Sequence, residues 1–392
     1  MGTMQRLFQL MSEKRASDMF MAVGSPINIK INGTLVPINQ QVMDAATITT
    51  LLEEIVKPED FQLLSETQEL NTAVGAPGIG RFRLSVFYQR SAISAVLRFI
   101  QNEIPEIESL GLPPTLPSVI MEKRGLMLVV GSTGSGKSTT IASLLDYRNR
   151  ISSGHILTLE DPVEFVFKNK KSIVNQREIG TDTKSFEIAL KNALRQAPDV
   201  IFIGEIRDKS TMGQAIAYAQ SGHLCVATLH ANNSYQALSR IIGFYPLESR
   251  PALLADLSVT LRCIVSQRLV KKADGQRTPA AEVMLNTKHI AELMEKGDID
   301  GIREAMEKSL SPGSQTFEQA LYTLYTNGTI SLDEALSAAD SANNLQWLIN
   351  NTQHAANSKK PDAEPAAAAP PTEPQPSLAV SFGNFELKPE HE

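Results

Sequence analysis

The sequence predicts an α/β protein in two parts: a small mixed unit over residues 1–100, then a domain over residues 122–350 built on a parallel sheet with crossover helices and ending in a mostly helical part. Three observations carry that expectation. Between residues 122 and 230, apolar strand-like runs alternate with helical runs, the pattern of a parallel sheet joined by helices. Within the first hundred residues, Phe82, Leu84 and Val86 alternate with Arg81, Arg83 and Ser85. Period two puts the arginines on one strand face and the apolar residues on the other. Finally, a glycine-rich turn separates the apolar strand at 126–130 from the helix that follows it.

Taken in order, strand-like runs at 27–31 and 34–38 flank Asn32-Gly33, a favoured pair for a tight hairpin turn. A helix is expected over roughly 45–66, then strands near 81–88 and 92–99. Residues 101–121 carry Pro105, Pro113, Pro114 and Pro117, which prevent a continuous helix; this segment reads as an interdomain linker and a hinge. Strands follow near 126–130, 155–160, 199–204 and 223–229, with helices near 136–149, 184–196 and 209–221. Residues 251–350 read as mostly helical apart from a strand at 280–285. Two short amphipathic helices, at 316–325 and 332–339, meet around Asn327-Gly328. Residues 351–392 form a tail. Its stretch from Pro361 to Pro376 is rich in Pro, Ala and Glu and is expected to be disordered. The end, from Leu378 to Leu387, regains Val380, Phe382 and Phe385; it reads either as an incidental tail or as a short partner-binding peptide.

Composition narrows the class. A chain of 392 residues with 42% hydrophobic and 20% charged residues matches ordinary globular proteins. The formal net charge of −6 gives no global basic field, which disfavours a DNA or RNA motor. Cys225 and Cys263 stand in apolar runs and read as core thiols rather than a disulfide. Two cysteines cannot build a four-cysteine zinc site. No segment approaches the roughly 20 apolar residues that span a bilayer. Arg6, Glu13, Lys14 and Arg15 precede any apolar run, unlike a signal peptide. A cytoplasmic protein is expected, any membrane contact coming through a partner.

The chemistry begins at Gly131, Ser132, Thr133, Gly134, Ser135, Gly136, Lys137 and Ser138, which fit G-x-x-x-x-G-K-[ST] and run into Thr139. A glycine-rich turn aims successive backbone N–H groups at a phosphate, and the helix N-terminus adds positive potential. Lys137 is expected at the β- and γ-phosphates of ATP and the Ser138 hydroxyl on Mg²⁺. Hydrolysis also needs carboxylates. Glu160 closes the strand in "HILTLEDPVEF" and Glu205 follows the strand in "DVIFIGEIRD"; strand C-termini of such a sheet converge on the ligand crevice. Gly204 occupies the place where many such strands carry the Mg²⁺-binding Asp. Glu160 is assigned to polarising the attacking water and Glu205 to the Mg²⁺ shell, with the two roles open to exchange. His223 and His230 bracket "HLCVATLH" at an odd spacing, so they do not share a strand face; on spacing alone they read as structural. Arg81, Arg83, Arg195 and Arg207 are candidates for countering transition-state charge, each open to an ordinary surface or ion-pair role.

The stretches "GSTGSGKSTT", "ILTLEDPVEF", "LRQAPDVIFIGEIRD" and "GHLCVATLHANN" resemble the Walker A, Asp box, Walker B and His box of secretion ATPases. Among these the sequence is most similar to the type IV pilus retraction ATPases PilT and PilU. "SDMFMAVGSPINIKINGTLVPI" resembles that family's PAS-like domain and "GRFRLSVFYQR" its arginine-bearing strand. The likeness runs in order over residues 1–350. It implies a PAS-like N-terminal domain, a RecA-like ATPase domain and a homo-hexamer that turns ATP hydrolysis into pilus retraction through an inner-membrane platform protein. It also implies His223 and His230 as nucleotide-site residues and Arg81 and Arg83 as phosphate contacts that approach when the two domains close.

Departures select among relatives. The zinc-binding cysteines of extension and type II secretion ATPases are missing. Where PilT carries "AIRNLIRE", this chain reads "NTKHIAELMEKGDIDGIREAMEKS". Its "SDMF" start and its "QTFEQALYTLY" and "ADSANNL" segments look more like PilU, the accessory retraction motor. The leading expectation is therefore a PilU-type ATPase motor; the other is a nucleotide-gated adaptor of a PilT-like hexamer with little turnover of its own.

Overall fold

A computed structural model describes residues 2–31, 33–100, 103–308 and 313–357. Contacts divide the chain into two compact units, residues 1–348 and 349–392. Of the second, the described residues are 349–357, the last turns of a helix. The expected hairpin residue Asn32, and the tail from 358 with its segment 378–387, lie outside the described residues.

The first hundred residues form a six-stranded antiparallel sheet and three helices. The strands are β1 (Asp18–Ala22), β2 (Asn28–Ile31), β3 (Thr34–Pro37), β4 (Glu69–Ala76), β5 (Gly80–Gln89) and β6 (Ala92–Ile100), in the order β3-β2-β1-β6-β5-β4. Helices α1 (Thr3–Glu13), α2 (Ala45–Glu53) and α3 (Pro58–Thr67) cover its apolar face. The single helix expected at 45–66 is two helices. Pro58 has no N–H to continue a helix and instead opens α3 in the first turn. In β5, Phe82, Leu84 and Val86 are buried as the alternation requires.

The following sheet has seven strands: β7 (Gly125–Val130), β8 (Gly154–Glu160), β9 (Ser172–Glu178), β10 (Val200–Ile203), β11 (Leu224–Leu229), β12 (Leu261–Lys271) and β13 (Arg277–Leu285). Their order is β13-β12-β7-β11-β10-β8-β9, parallel throughout except for the β12–β13 pair. Before it comes α4 (Leu116–Ile120); between and after its strands come α5 (Lys137–Ile151), α6 (Phe186–Ala193), α7 (Lys209–Gln220), α8 (Ser234–Gly243), α9 (Arg250–Thr260), α10 (Lys288–Lys296) and α11 (Ile299–Glu307). Helices α12 (Phe317–Thr326), α13 (Leu332–Ala338) and α14 (Ala342–Asn357) complete the described chain. The helix at 342–357 extends past the expected tail boundary at 351, since the first proline beyond it is Pro361.

Both faces of this sheet are covered, so its strands are apolar without alternation. Leu126, Leu128 and Val130 enter one core, and Met127 and Val129 enter the other. Cys225 and Cys263 fall in those two different cores as buried free thiols, and burial pushes both thiol pKa values up. Two expectations change. Residues 251–350 are mostly helical as expected but carry two strands instead of one, because β12 runs eleven residues and pairs with β7. Much of the proposed linker is also packed core. Ile107, Leu116, Val119 and Ile120 are buried with the residues of α5. Pro117 does not break this segment; it sits in the first turn of α4, where a missing N–H costs nothing.

Arg148 of α5 secures this docking. Its guanidinium donates to the carbonyls of Ile120 (2.6 Å) and Glu122 (2.7 Å), and burial lowers its pKa. Removing the guanidinium strands one buried and one partly buried acceptor. Arg148→Ala is expected to cost about 2–4 kcal/mol of unfolding free energy by chemical denaturation; a change within about 0.5 kcal/mol would contradict this bracing role.

Candidate functional site

Four adjacent strands, β8, β10, β11 and β7, end at one edge of the sheet. Their parallel register pairs Leu159 with Ile203, Ile203 with Ala227, and Leu229 with Val130. The residues immediately past those strand ends, with Glu160 itself, therefore meet in one place.

The turn from β7 into α5 is the candidate phosphate loop. Gly136 precedes the first helical residue at φ 91°, a left-handed conformation that favours glycine. At Gly131, an added Cβ would stand 2.6 Å from the backbone oxygen of Gln267. That oxygen belongs to β12, whose buried Gln267 side chain also accepts from the Thr140 hydroxyl at 2.7 Å. Gln267 thus braces the loop from below. Sequence reasoning missed it because β12 itself was missed.

Lys137 donates to Gly131 O at 2.9 Å and Ser132 O at 2.8 Å, so its ammonium arches over its own loop. Burial pushes its pKa down, and Glu205 and Glu164 pull against that shift. The Ser135 hydroxyl is buried and has no hydrogen-bond partner among the described residues.

Glu160 is the last residue of β8 and is buried. Thr158 Oγ1 donates to its Oε1 at 2.6 Å and Gln176 Nε2 at 3.2 Å. Burial outweighs these bonds and raises its pKa to about 7. Glu205 lies beyond β10, with Oε1 3.3 Å from His230 Nε2 and Oε2 accepting from Arg207 Nε at 2.7 Å. The glycine before it has a physical reason. Gly204 donates to Leu159 O at 2.8 Å, and a Cβ there would lie 3.1 Å from that oxygen and 3.3 Å from Glu160 Cα. A side chain at 204 would press its Cβ against the backbone that carries Glu160, and the carboxylate stands one residue later.

These groups open onto a cleft of about 510 Å³, within the usual range of small-molecule sites. Thr133, Gly134, Gly136, Lys137, Ser138 and Thr139 line it, together with Glu160, Glu205 and His230. Phe165, Phe167, Phe186 and Leu269 add an apolar wall. Gly131 and Ser132 face a neighbouring groove that they share with His230 and Arg240.

Several candidates fall elsewhere. His223 is a correction: it precedes β11, whose six residues separate it from His230 by about 20 Å along the strand. It stands at the opposite edge of the sheet, with Nδ1 3.1 Å from Ser221 Oγ. Arg81 and Arg83 do not line the cleft either. Arg81 pairs with Glu178 at 3.3 Å, and Arg83 is exposed. The arginine of this sheet that does line the cleft is Arg98, held at 2.8 Å by Asp18. Arg98 is the cross-strand partner of Arg83 and so shares its face. The β5–β6 hairpin register was the signal that pointed to it. Arg195 is exposed and does not line the cleft, whereas Arg207 does.

The Glu160 shift has a consequence for stability. Its carboxyl titrates near 7 in the folded protein against an ordinary value of 4.5. Between those values the folded state keeps a proton that the unfolded chain releases. The contribution is complete below about pH 4.5 and is lost as pH rises through about 7. Thermal unfolding of the protein without nucleotide should show a decline in Tm from about pH 5 to pH 8 that Glu160→Gln flattens; parallel curves for the two proteins would refute it.

Comparison with known proteins agrees with this geometry. The family described as type II/IV secretion system protein matches residues 3–338. The chain is 46% identical over 346 residues to the type IV pilus ATPase PilU of Pseudomonas aeruginosa, covering 88% of this chain and 91% of the relative. It is 36% identical over 333 residues to the retraction ATPase PilT of the same organism, covering 85% and 97%. Among solved structures, the pilus retraction motor PilT with bound ADP superposes with a TM-score of 0.82 at 40% identity, covering 87% of this chain and 98% of that one. The chain belongs to the type II/IV secretion system protein family, among the relatives of the pilus ATPases PilU and PilT.

Proposed function

We propose that this chain is an ATP-hydrolysing motor of type IV pilus retraction, of the PilU kind. The observation that carries the reading is a single cleft in which the phosphate loop of Lys137 meets Glu160 and the Glu205–His230 pair. The PilU and PilT likenesses supply the pilus. The working unit is a homo-hexamer in the cytoplasm. It acts with a PilT-like ATPase and an inner-membrane platform protein, and without nucleic acid. Among the described residues no helix is long and apolar enough to cross a membrane.

In this reading Lys137 exchanges the carbonyls of Gly131 and Ser132 for the β- and γ-phosphate oxygens of ATP. The backbone N–H groups of the loop, the α5 N-terminus and the buried Ser135 hydroxyl hold the remaining oxygens. The apolar wall of Phe165, Phe167 and Phe186 suits a planar base. Mg²⁺ fits the donors present. The Ser138 hydroxyl and the Glu205 carboxylate are hard oxygen ligands, and Mg²⁺ takes one or two such groups beside substrate phosphates. When bound, the ion neutralises developing phosphate charge. Glu160, with a pKa near 7, orients the attacking water and accepts its proton as the γ-phosphorus–oxygen bond to ADP breaks. His230 holds Glu205 in place through the 3.3 Å contact.

Lys137→Ala is expected to abolish turnover in a folded protein, since it removes charge without opening a core cavity. Glu160→Gln and Glu205→Gln should keep nucleotide binding and lose hydrolysis by about a hundredfold or more. Steady-state ATPase assays and nucleotide titrations check all three. Normal turnover of Lys137→Ala would sink the assignment. Nucleotide binding without turnover in the unaltered protein would favour the adaptor role. Loss of twitching in strains lacking this protein, its PilT-like partner or both tests the pilus itself.

The arginines separate by position. Arg98→Ala should raise KM for ATP about tenfold because Arg98 already lines the cleft. The Arg81→Ala/Arg83→Ala double variant should lower kcat more than affinity, since both residues reach the phosphates only on closure. Kinetics of the two variants decide it; identical kinetic defects would remove the distinction.

A further inference from the structure

The loop after His230 has an anchor that no nucleotide-site motif contains. Residues 231–233 carry the chain from β11 into α8 without regular structure. Asp340 reaches this region from the junction between α13 and α14. One of its oxygens accepts from Asn233 Nδ2 at 2.8 Å and from the Tyr235 hydroxyl at 3.0 Å. Its other oxygen is paired with Arg268 Nη2. The same Arg268 nitrogen donates to Asn232 O at 3.3 Å, and the guanidinium lies 4.0 Å from the Phe317 ring centroid. Arg268 follows Gln267 on β12, and successive strand residues point to opposite faces. One strand therefore braces the phosphate loop through residue 267 and the His230 loop through residue 268.

We propose that Asp340 is a positioning residue for hydrolysis. By holding Asn233, Tyr235 and Arg268 together, it fixes the loop that presents His230 to Glu205. The inference rests on the ATPase reading above. The geometry favours positioning over general adhesion. Among the described residues, the hydrogen-bond and ion-pair partners of Asp340 belong to the loop, to the start of α8 or to the strand beneath them. The helices around Asp340 have separate attachments: Ala335 and Leu345 are buried, and Ser341 N donates to Glu318 Oε1 at 2.9 Å. Asn233 is itself fully enclosed, and its Oδ1 caps α8 by accepting from Gln236 N at 3.0 Å. Its amide nitrogen is left with Asp340. Loss of that acceptor frees Asn233, three residues after His230, in a site where small displacements are costly.

The test uses the full-length protein, with steady-state ATPase kinetics and titration of a fluorescent ADP analogue. Asp340→Ala should lower kcat about tenfold or more while KM and ADP affinity stay within about twofold. Adding Asp340→Ala to His230→Ala should lower the residual turnover no further, because the two act through one contact. Tyr235→Phe removes a single donor and should lower kcat about threefold; it decides the matter by the same criteria if Asp340→Ala does not fold. Unchanged kcat in the folded variant overturns the proposal. So does an equal loss in both His230 backgrounds, which is the signature of general loosening. Full turnover of His230→Ala overturns it as well. An unaltered protein that binds nucleotide without hydrolysing it would instead remove the ATPase reading, and the positioning role with it.

Discussion

Parallel register is the constraint on which the site depends. Glu160, Gly204-Glu205, His230 and Gly131 come from segments far apart in sequence, yet each stands at or just past the end of a strand whose neighbours are one hydrogen-bond step away. A slip of one residue between β10 and β8 would turn Leu159 and Ile203 out of the shared core and rotate Glu160 away from the cleft. Burying both faces makes such a slip costly, since every strand residue from Leu126 to Val130 is fully enclosed. The apolar core and the chemistry are therefore set by the same alignment.

Polar groups buried beside that core mark where the fold is held for function. Glu160 is supported by Thr158 and Gln176, and burial still leaves its carboxyl near 7. Glu282 of β13 is equally enclosed. Its Oε1 accepts from Ser234 N at 2.7 Å and from Ser266 Oγ at 3.0 Å, and burial raises its pKa. Placing an ionisable group there is unfavourable unless each oxygen is satisfied. Glu282 joins the start of α8 to β12, next to the Arg268–Asp340 pair. Buried polar contacts on β12 and β13 thus converge on the two loops, 131–136 and 230–233, that flank the cleft.

Local patterns made the centre of this site legible in the sequence. The phosphate loop needs glycines at fixed offsets within eight residues, and Glu160 and Glu205 stand at the ends of largely apolar strand runs. Periodicity in β5 correctly separated its buried and exposed faces. The supporting residues were hidden because their roles depend on pairings across the fold. Residues 261–271 mix Arg262, Ser266, Gln267 and Arg268 among apolar residues. They show neither clean alternation nor an apolar run, so β12 was not expected, and Gln267 and Arg268 went with it. His223 was misplaced because likeness to a motif says nothing about which end of a strand a residue occupies. Arg98 was overlooked because its cleft position follows from a hairpin register.

The ion pair that holds Arg81 away from the cleft is also weak enough to be exchanged. Arg81 is partly exposed and meets the buried Glu178 at 3.3 Å through one nitrogen, without the two-nitrogen contact that makes arginine–carboxylate pairs strong. Glu178 keeps other partners without it, accepting from Val163 N at 3.2 Å and from Thr181 Oγ1 at 3.2 Å. Releasing Arg81 therefore leaves no bare buried carboxylate, the circumstance that makes breaking a buried pair expensive. In the proposed motor, a γ-phosphate in the cleft offers Arg81 a stronger partner than Glu178 does, because phosphate carries more charge and more acceptor oxygens. ADP lacks that group. In that motor, the exchange of Glu178 for the γ-phosphate by Arg81 contributes to the differential interaction that a nucleotide-driven closure requires.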